Sequence, residues 1–308
     1  MRRSSLRHPM HSPIERVTID TLIDRYDALL FDAYGVLVHL SGAMPGAPDL
    51  IDLLNRSHKP YCLVTNDASK LPETAAQRYR GFGLDVDAEH IVTSGQLLQR
   101  HFIEQGLNGA RCAVLGTADS VRYVELAGGA IVPPDASFDV LVVGDQTGYP
   151  LLDTVDTALT SLFLRIDAGQ PVRLILPNPD LIYLRSEHSF GLAAGSVASL
   201  FEAALRRRYA DRNELVFTRL GKPGPLLYEE GMRRCSTRHI VMLGDQIETD
   251  IRGANRCGMA SALVTTGISS PDLDALTGDS RPTYWMSSVA LPSVPLTPTL
   301  SRKGRGGP

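Results

Sequence analysis

Short apolar runs recur along the chain, each closed by a small or polar residue and followed by a longer stretch with apolar side chains at helical spacing. "DALLF" (27–31), "YCLVTN" (61–66) and "HIVTSG" (90–95) have the length and composition of buried strands. Between them, "APDLIDLLNRS" and "PETAAQRYRGFG" place apolar residues three and four apart and stop near Ser or Gly, which predicts helices. Later strands are expected at "CAVLG", "DVLVVGD", "VRLILPN", "LVFTRLG", "HIVMLGD" and "SALVTTG". "LLDTVDTALTSLFLRIDAG" and "SVASLFEAALRRRYA" are the clearest helices among them. Such alternation predicts βα units, hence an α/β fold with a doubly wound, mostly parallel sheet.

Asp32, Thr65 with Asn66, Ser94 and Asp245 each stand where an apolar strand gives way to a loop. Any one of them is explained by turn chemistry. Taken together they are polar groups from distant segments, and open α/β sheets bind ligands beyond the carboxyl ends of their strands. Asp32, flanked by small residues, can attack phosphorus as a carboxylate. A phosphate would repel it, so cations and hydrogen-bond donors are needed around the transferring group. Thr65 and Asn66 offer donors, and Lys222 in "RLGKPGPLLYEE" offers an ammonium. "VMLGDQIETDIRGANRCG" adds Asp245 and Asp250, which with Asp32 form a hard oxygen site suited to Mg²⁺. Gly244 leaves room for close approach. Gly-Asp-Gln also occurs in "VLVVGDQTGYP", where no second acid follows, so Asp145 is read as a strand end and Asp245 as the metal ligand.

Composition narrows the class without changing it. The 308 residues are 43% apolar and 21% charged with net charge -3, enough for one large or two modest domains. That balance gives no electrostatic case for nucleic acid or an anionic membrane as partner. Basic residues cluster in "MRRSSLRH" and "SRKGRGGP", within polar ends read as a disordered leader (1–22) and a disordered tail (291–308). Cys62, Cys112, Cys235 and Cys257 are scattered, without zinc or thiol-redox spacing. No apolar run approaches the roughly 20 residues of a membrane span, and the expectation is a soluble cytoplasmic protein.

Four ordered segments, "LLFDAYGVL", "LVTNDAS", "RLGKPGPLLYE" and "VMLGDQIETDIRGANRCGM", make the chain resemble the haloacid dehalogenase superfamily of aspartate-nucleophile phosphohydrolases. It is most similar to the class IIA branch, which includes nucleotide and sugar phosphatases and p-nitrophenyl phosphatase-like enzymes. The resemblance runs from about Tyr26 to about Ile268, and "LILPNPDLIY" with "AAGSVASLFEAA" matches that branch's cap. It implies a Rossmann-like core over 23–96 and 208–290, with an α/β cap inserted at 97–207. It further implies Asp32 as nucleophile, and Thr65 with the Asn66 backbone as phosphate ligands. Lys222 would steady Asp32 and the phosphate. Mg²⁺ would be held by Asp32, Asp245 and the backbone carbonyl of Tyr34, with Asp250 in support. Asn178, Pro179 and Asp180 would position the cap. The implied substrate is a small phosphorylated metabolite, and caps of this size pair, so a homodimer is among the expected states.

The departure is Tyr34, where family phosphatases carry an aspartate that serves as general acid and then base. Such catalysis contributes about 10²–10⁴-fold. A phenol of pKa ~10 can donate a proton, but only about one in a thousand is ionised at neutral pH. Hydrolysis of the aspartyl phosphate should therefore suffer more than its formation. Asp67 and His39 are the nearby substitutes in sequence, each with the simpler role of a solvated loop residue. Two other functions remain open: a weakly catalytic phosphate-ligand-binding protein, and a 2-haloacid dehalogenase. The latter also reads Asp-Ala-Tyr but works without metal and has no use for "GDQIETD". The expectation is a Mg²⁺-dependent phosphohydrolase that is slow or selective for good leaving groups.

Overall fold

The computed structural model describes residues 13–186, 189–269 and 271–292. It opens with β1 (Glu15–Arg16) and α1 (Ile19–Arg25) before β2 (Ala28–Phe31), all four of whose residues are buried. This corrects the leader expected through residue 22. Val17, Ile19 and Leu22 are buried in the core, and β1 pairs with a strand near the far end of the chain. The apolar signal there spans barely one helical turn, too short to stand out beside the basic stretch before it. The rest of the expected leader, 1–12, and the tail from 293 lie outside the described residues.

The hairpin β3 (Val38–His39)/β4 (Gly42–Ala43) and α2 (Ala47–Arg56) lead to β5 (Tyr61–Thr65), α3 (Pro72–Gly81) and β6 (Ile91–Thr93). Next come α4 (Leu97–Gln105), β7 (Arg111–Leu115), α5 (Ala118–Leu126), β8 (Ala130–Ile131), β9 (Val140–Val143) and α6 (Leu151–Asp167). β10 (Arg173–Leu176), the hairpin β11 (Ile182–Ser186)/β12 (Ser189–Leu192), α7 (Ala194–Arg208) and β13 (Thr218–Arg219) follow. The last elements among the described residues are α8 (Leu226–Cys235), β14 (Ile240–Gly244), α9 (Arg252–Arg256), β15 (Ala260–Val264) and β16 (Tyr284–Met286).

Two parallel sheets result, ordered β1-β16-β15-β14-β2-β5-β6 and β13-β10-β9-β7-β8. In the first, β2 lies between β14 and β5, so the chain order reverses beside it. That is where an open α/β sheet forms its ligand crevice. Alternate residues feed opposite faces, as a two-residue period requires. Leu29, Phe31, Leu63, Val241 and Leu243 join one core with α2 and α3. Leu30, Cys62, Val64 and Met242 join another with Leu227 and Tyr228 of α8. The second core continues through Phe102 and Tyr123 to Cys112, Val140 and Ile175, so the two sheets share packing. The far face of the second sheet is covered by α6 and α7 through Leu162, Ile166, Phe201 and Leu205.

The inserted module is longer than the expected 97–207. β13 pairs with β10 through Ile175–Thr218 and Leu176–Arg219, so the second sheet ends at Arg219. "LVFTRLG" announces a strand, but its exposed two-residue ladder carries no mark of which sheet it joins. No helix of the described residues is long and apolar enough to cross a membrane.

The N-terminal part of α5 grips the loop that follows Thr65. Thr117 Oγ1 donates to the Ser69 carbonyl (2.6 Å), Ser120 Oγ to that of Ala68 (2.9 Å), and the Tyr123 hydroxyl to that of Lys70 (2.7 Å). The Leu71 N–H donates to Asp119 Oδ2 at 2.9 Å. The Tyr123 hydroxyl also lies 2.6 Å from Thr93 Oγ1. Tyr123→Phe keeps the ring and strips partners from two buried groups. Urea denaturation should show a loss of about 1–3 kcal/mol, the cost of leaving such groups unpaired.

Candidate active site

Asp32 directly follows β2, with its N–H donating to the Leu243 carbonyl at 2.8 Å, which fixes the carboxylate against β14. Thr65 ends β5, and Asp245 and Asp250 leave β14 through one π turn over Ile247–Ile251. The turn folds Asp250 back onto Gly244, where a Cβ would overlap the Asp250 side chain. Gly35, at φ +87°, lets the loop after Asp32 pass over Asp245. A Cβ there would sit 2.5 Å from Asp245 Oδ2.

Lys222 joins these parts. Its Nζ donates to Asp32 Oδ1 at 2.8 Å and to Asp250 Oδ1 at 2.6 Å, and the residue is 1% exposed. Asn66 holds the lysine's own backbone. Asn66 Oδ1 accepts from the Lys222 N–H (2.7 Å) and Nδ2 donates to its carbonyl (3.3 Å). Nδ2 also donates to Asp180 Oδ1 at 2.8 Å, and Ser94 Oγ donates to the Asn66 carbonyl at 2.7 Å. The Asn66 side chain is therefore a bracket for the lysine loop, which leaves any phosphate contact to its backbone.

Three carboxylates face one ammonium. Asp32, Asp245 and Asp250 are buried and offer oxygens within 4.8 Å of one another. Burial raises the Asp32 pKa and Lys222 only partly offsets it. Asp250 is pushed to about 6 by burial against the pull of Lys222. Asp245 is driven well above the carboxylate range by burial and by Asp32 and Asp250 beside it. Burial opposes the Lys222 charge, but Asp250 and Asp32 outweigh it and hold its pKa high. Asp245 Oδ2 accepts from the Ile268 N–H at 2.6 Å, whereas the buried Oδ1 has no hydrogen-bond partner among the described residues. A surplus of buried carboxylate charge and an orphaned oxygen fit a hard divalent cation such as Mg²⁺. Asp250 differs from the other two, since Lys222 and the Gln246 N–H (3.0 Å) occupy both its oxygens.

A cavity between the sheets exposes Asp32 and Thr65 together with Tyr34, Asp67, Asp145 and Asp180. Burial, with Asp67 next in effect, raises the Tyr34 pKa above that of a free phenol, so it is a still poorer base than its sequence implied. Asp67 accepts from the Ser69 N–H at 2.7 Å and from Lys70 Nζ at 3.1 Å. His39 is turned to Ser41, whose hydroxyl lies 3.0 Å from Nδ1, and it does not line the cavity. Asp145 makes its strand-end turn, accepting from the Thr147 N–H at 2.9 Å, and it also lines the cavity. Sequence reasoning missed that placement. The repeated Gly-Asp-Gln was its available signal, because the second sheet also presents its strand ends to the site. Asp180, expected only to position the cap, is a cavity carboxylate that burial pushes to about 6.

Two family models match: haloacid dehalogenase-like hydrolase over residues 29–130 and HAD-hydrolase-like over 219–291. The chain belongs to the haloacid dehalogenase superfamily, in its class IIA branch. It is 28% identical over 263 residues to a dihydroxyacetone phosphatase of Corynebacterium glutamicum, spanning 85% of this chain and 88% of that one. A possible sugar phosphatase from Cytophaga hutchinsonii superposes with TM-score 0.76 at 28% identity, covering 90% of this chain and 99% of its own. A glycerol phosphate phosphatase from Mycobacterium tuberculosis, solved in complex with magnesium, gives TM-score 0.70 at 26% identity over 87% of this chain and 77% of its own.

The raised carboxyls make metal-free stability depend on pH. Asp180 and Asp250 have folded pKa values of about 6 against an unfolded value near ~4, so the folded state binds more protons between those limits. Their contribution is fully present below the unfolded value and is lost as pH rises through about 6. Glu230, held at about 2 by Arg233, acts in the opposite sense but at lower pH. In EDTA, the urea midpoint should be higher at pH 5 than at pH 7.5. Added Mg²⁺ should narrow that gap by stabilising the ionised site.

Proposed function

We propose that the protein is a Mg²⁺-dependent phosphoric monoester hydrolase that acts on small phosphorylated metabolites through an aspartyl phosphate on Asp32. The supporting observation is the buried Lys222 bridge from Asp32 to Asp250 beside the unpartnered Asp245 Oδ1. Lys222 holds Asp32 Oδ1 and so orients the carboxylate for in-line attack on phosphorus. The Thr65 hydroxyl, the Asn66 N–H and the Lys222 ammonium stabilise the phosphoryl oxygens. Asp32, Asp245 and the Tyr34 carbonyl would hold Mg²⁺, with Asp250 in support through Lys222. The ion supplies charge neutralisation on the transferring group. A cavity of about 140 Å³ between the sheets suits a small substrate.

Phosphatase relatives and the acidic loop argue against the dehalogenase alternative. With p-nitrophenyl phosphate, activity should vanish in EDTA and return with Mg²⁺, and Asp32→Asn should remove it. Undiminished turnover in either case contradicts the proposal. Mg²⁺-dependent ligand binding without hydrolysis across a phosphometabolite panel would instead select the binding-protein reading.

Tyr34 sets the character of the activity. Without a carboxylate there, leaving groups that need no proton should be favoured, and the second step should be slow. Tyr34→Asp places a carboxyl group at that position. It should raise kcat for alkyl phosphates by about 10²-fold or more, the lower bound for a positioned acid or base. An unchanged or lower kcat, with the variant still folded, would show that another group already carries the proton.

A further inference from the structure

Cys62 and Cys235 are separated by 173 positions, yet their Sγ atoms lie 3.7 Å apart. Cys62 is on the face of β5 that packs against α8, and Cys235 is the last residue of α8. Both line a surface cleft of about 780 Å³ with Tyr61, His90, Arg233 and Arg234, which shares no residue with the Asp32 cavity. Both thiols are buried, Cys62 2% and Cys235 9% exposed, and the cleft that borders them is separate from the candidate active site. Cys112 has a different environment, its thiol donating to the Ala110 carbonyl at 3.2 Å.

We propose that Cys62 and Cys235 are a modification site, a dithiol that hydrogen peroxide converts to a reversible disulfide. Their shared hydrogen bond raises the Cys62 pKa and lowers that of Cys235, and Arg234 also favours the Cys235 thiolate. The Arg234 guanidinium is fixed by Glu230 at 2.8 Å and by the carbonyls of Glu89 (2.8 Å) and Ile91 (3.0 Å). The Cys235 thiolate attacks one peroxide oxygen, breaking the O–O bond, and the departing hydroxide takes up a proton to leave as water. Cys62 sulfur then attacks the resulting sulfenic sulfur and displaces a second water, its own proton completing that molecule. Two thiols are oxidised and one peroxide is reduced to two waters. The disulfide requires the sulfurs to close from 3.7 Å to about 2.05 Å.

The bond would link the core segment before the inserted module to the segment after it. β5 ends in Thr65, and α8 follows the Lys222 loop, so the link spans the two halves that must meet to form the site. Thiol exchange with a low-molecular-weight thiol reverses it.

The test is peroxide treatment of the folded protein, followed by denaturation, alkylation and peptide mass mapping, with dithiothreitol as the reversing step. Two of the four thiols should escape alkylation, in a cross-linked peptide pair containing Cys62 and Cys235, and dithiothreitol should restore both. Cys235→Ala should abolish the cross-link and leave Cys62 alkylatable. Four alkylatable thiols after treatment would overturn the proposal. So would oxygen addition without a cross-link, or a bond involving Cys112 or Cys257. If Cys235→Ala does not fold, the wild-type peptide map alone decides. No phosphatase activity is read, so this result stands apart from the proposed function.

Discussion

The buried ion bridge from Lys222 to Asp32 and Asp250 is the constraint around which the rest is arranged. Charges removed from water cost several kcal/mol each unless geometry and further hydrogen bonds compensate. Compensation comes from three places in the chain: β2 and β14 fix the carboxylates, and Asn66 brackets the lysine's backbone. The balance is still incomplete, because Asp245 adds a third carboxylate with an unpartnered oxygen. A site that folds with surplus buried negative charge is poised for a cation. In the proposed reaction a cation there would favour the ionised carboxylates and offset their repulsion of a phosphate dianion.

The inserted module is part of this arrangement and does more than cover it. Side chains of α5 hold the loop after Thr65 by its carbonyls, and Asp180 shares the amide that positions Lys222. The geometry of the loop after Thr65 and of Lys222 is thus set from both sheets. Asp145 and Asp180 enter the cavity from the second sheet, while Asp67 enters from the first, so its lining is rich in acceptors.

Much of this was legible in the sequence because three strands of the first sheet, β2, β5 and β14, lead directly into the candidate site residues. Asp32, Thr65 and Asp245 follow unbroken apolar runs, and β2 is apolar throughout because both of its faces are buried. What escaped were pairings without local pattern. β13 is two exposed residues, and nothing within them chooses a sheet. β1 and α1 rest on Val17, Ile19 and Leu22, whose meaning depends on a partner strand far along the chain. Asp145 looked like a turn residue because it is one. Only the packing of two sheets makes it a cavity residue as well. Cys62 and Cys235 lack any motif spacing, since their proximity arises from a helix closing on a strand across the whole insertion.

In the proposed reaction Tyr34 would make the two steps unequal: attack by Asp32 would keep its supports, while release of the phosphoryl group would lack an ionised base at that position. The central claim is therefore best tested by acid-quenching the protein during turnover of an aryl phosphate with Mg²⁺ and mapping phosphoryl groups by mass spectrometry. The account predicts a phosphoryl group on the peptide containing Asp32, at Asp32 itself, in a large fraction of the quenched molecules. Steady turnover with no phosphoryl group on Asp32 at any quench time would contradict it.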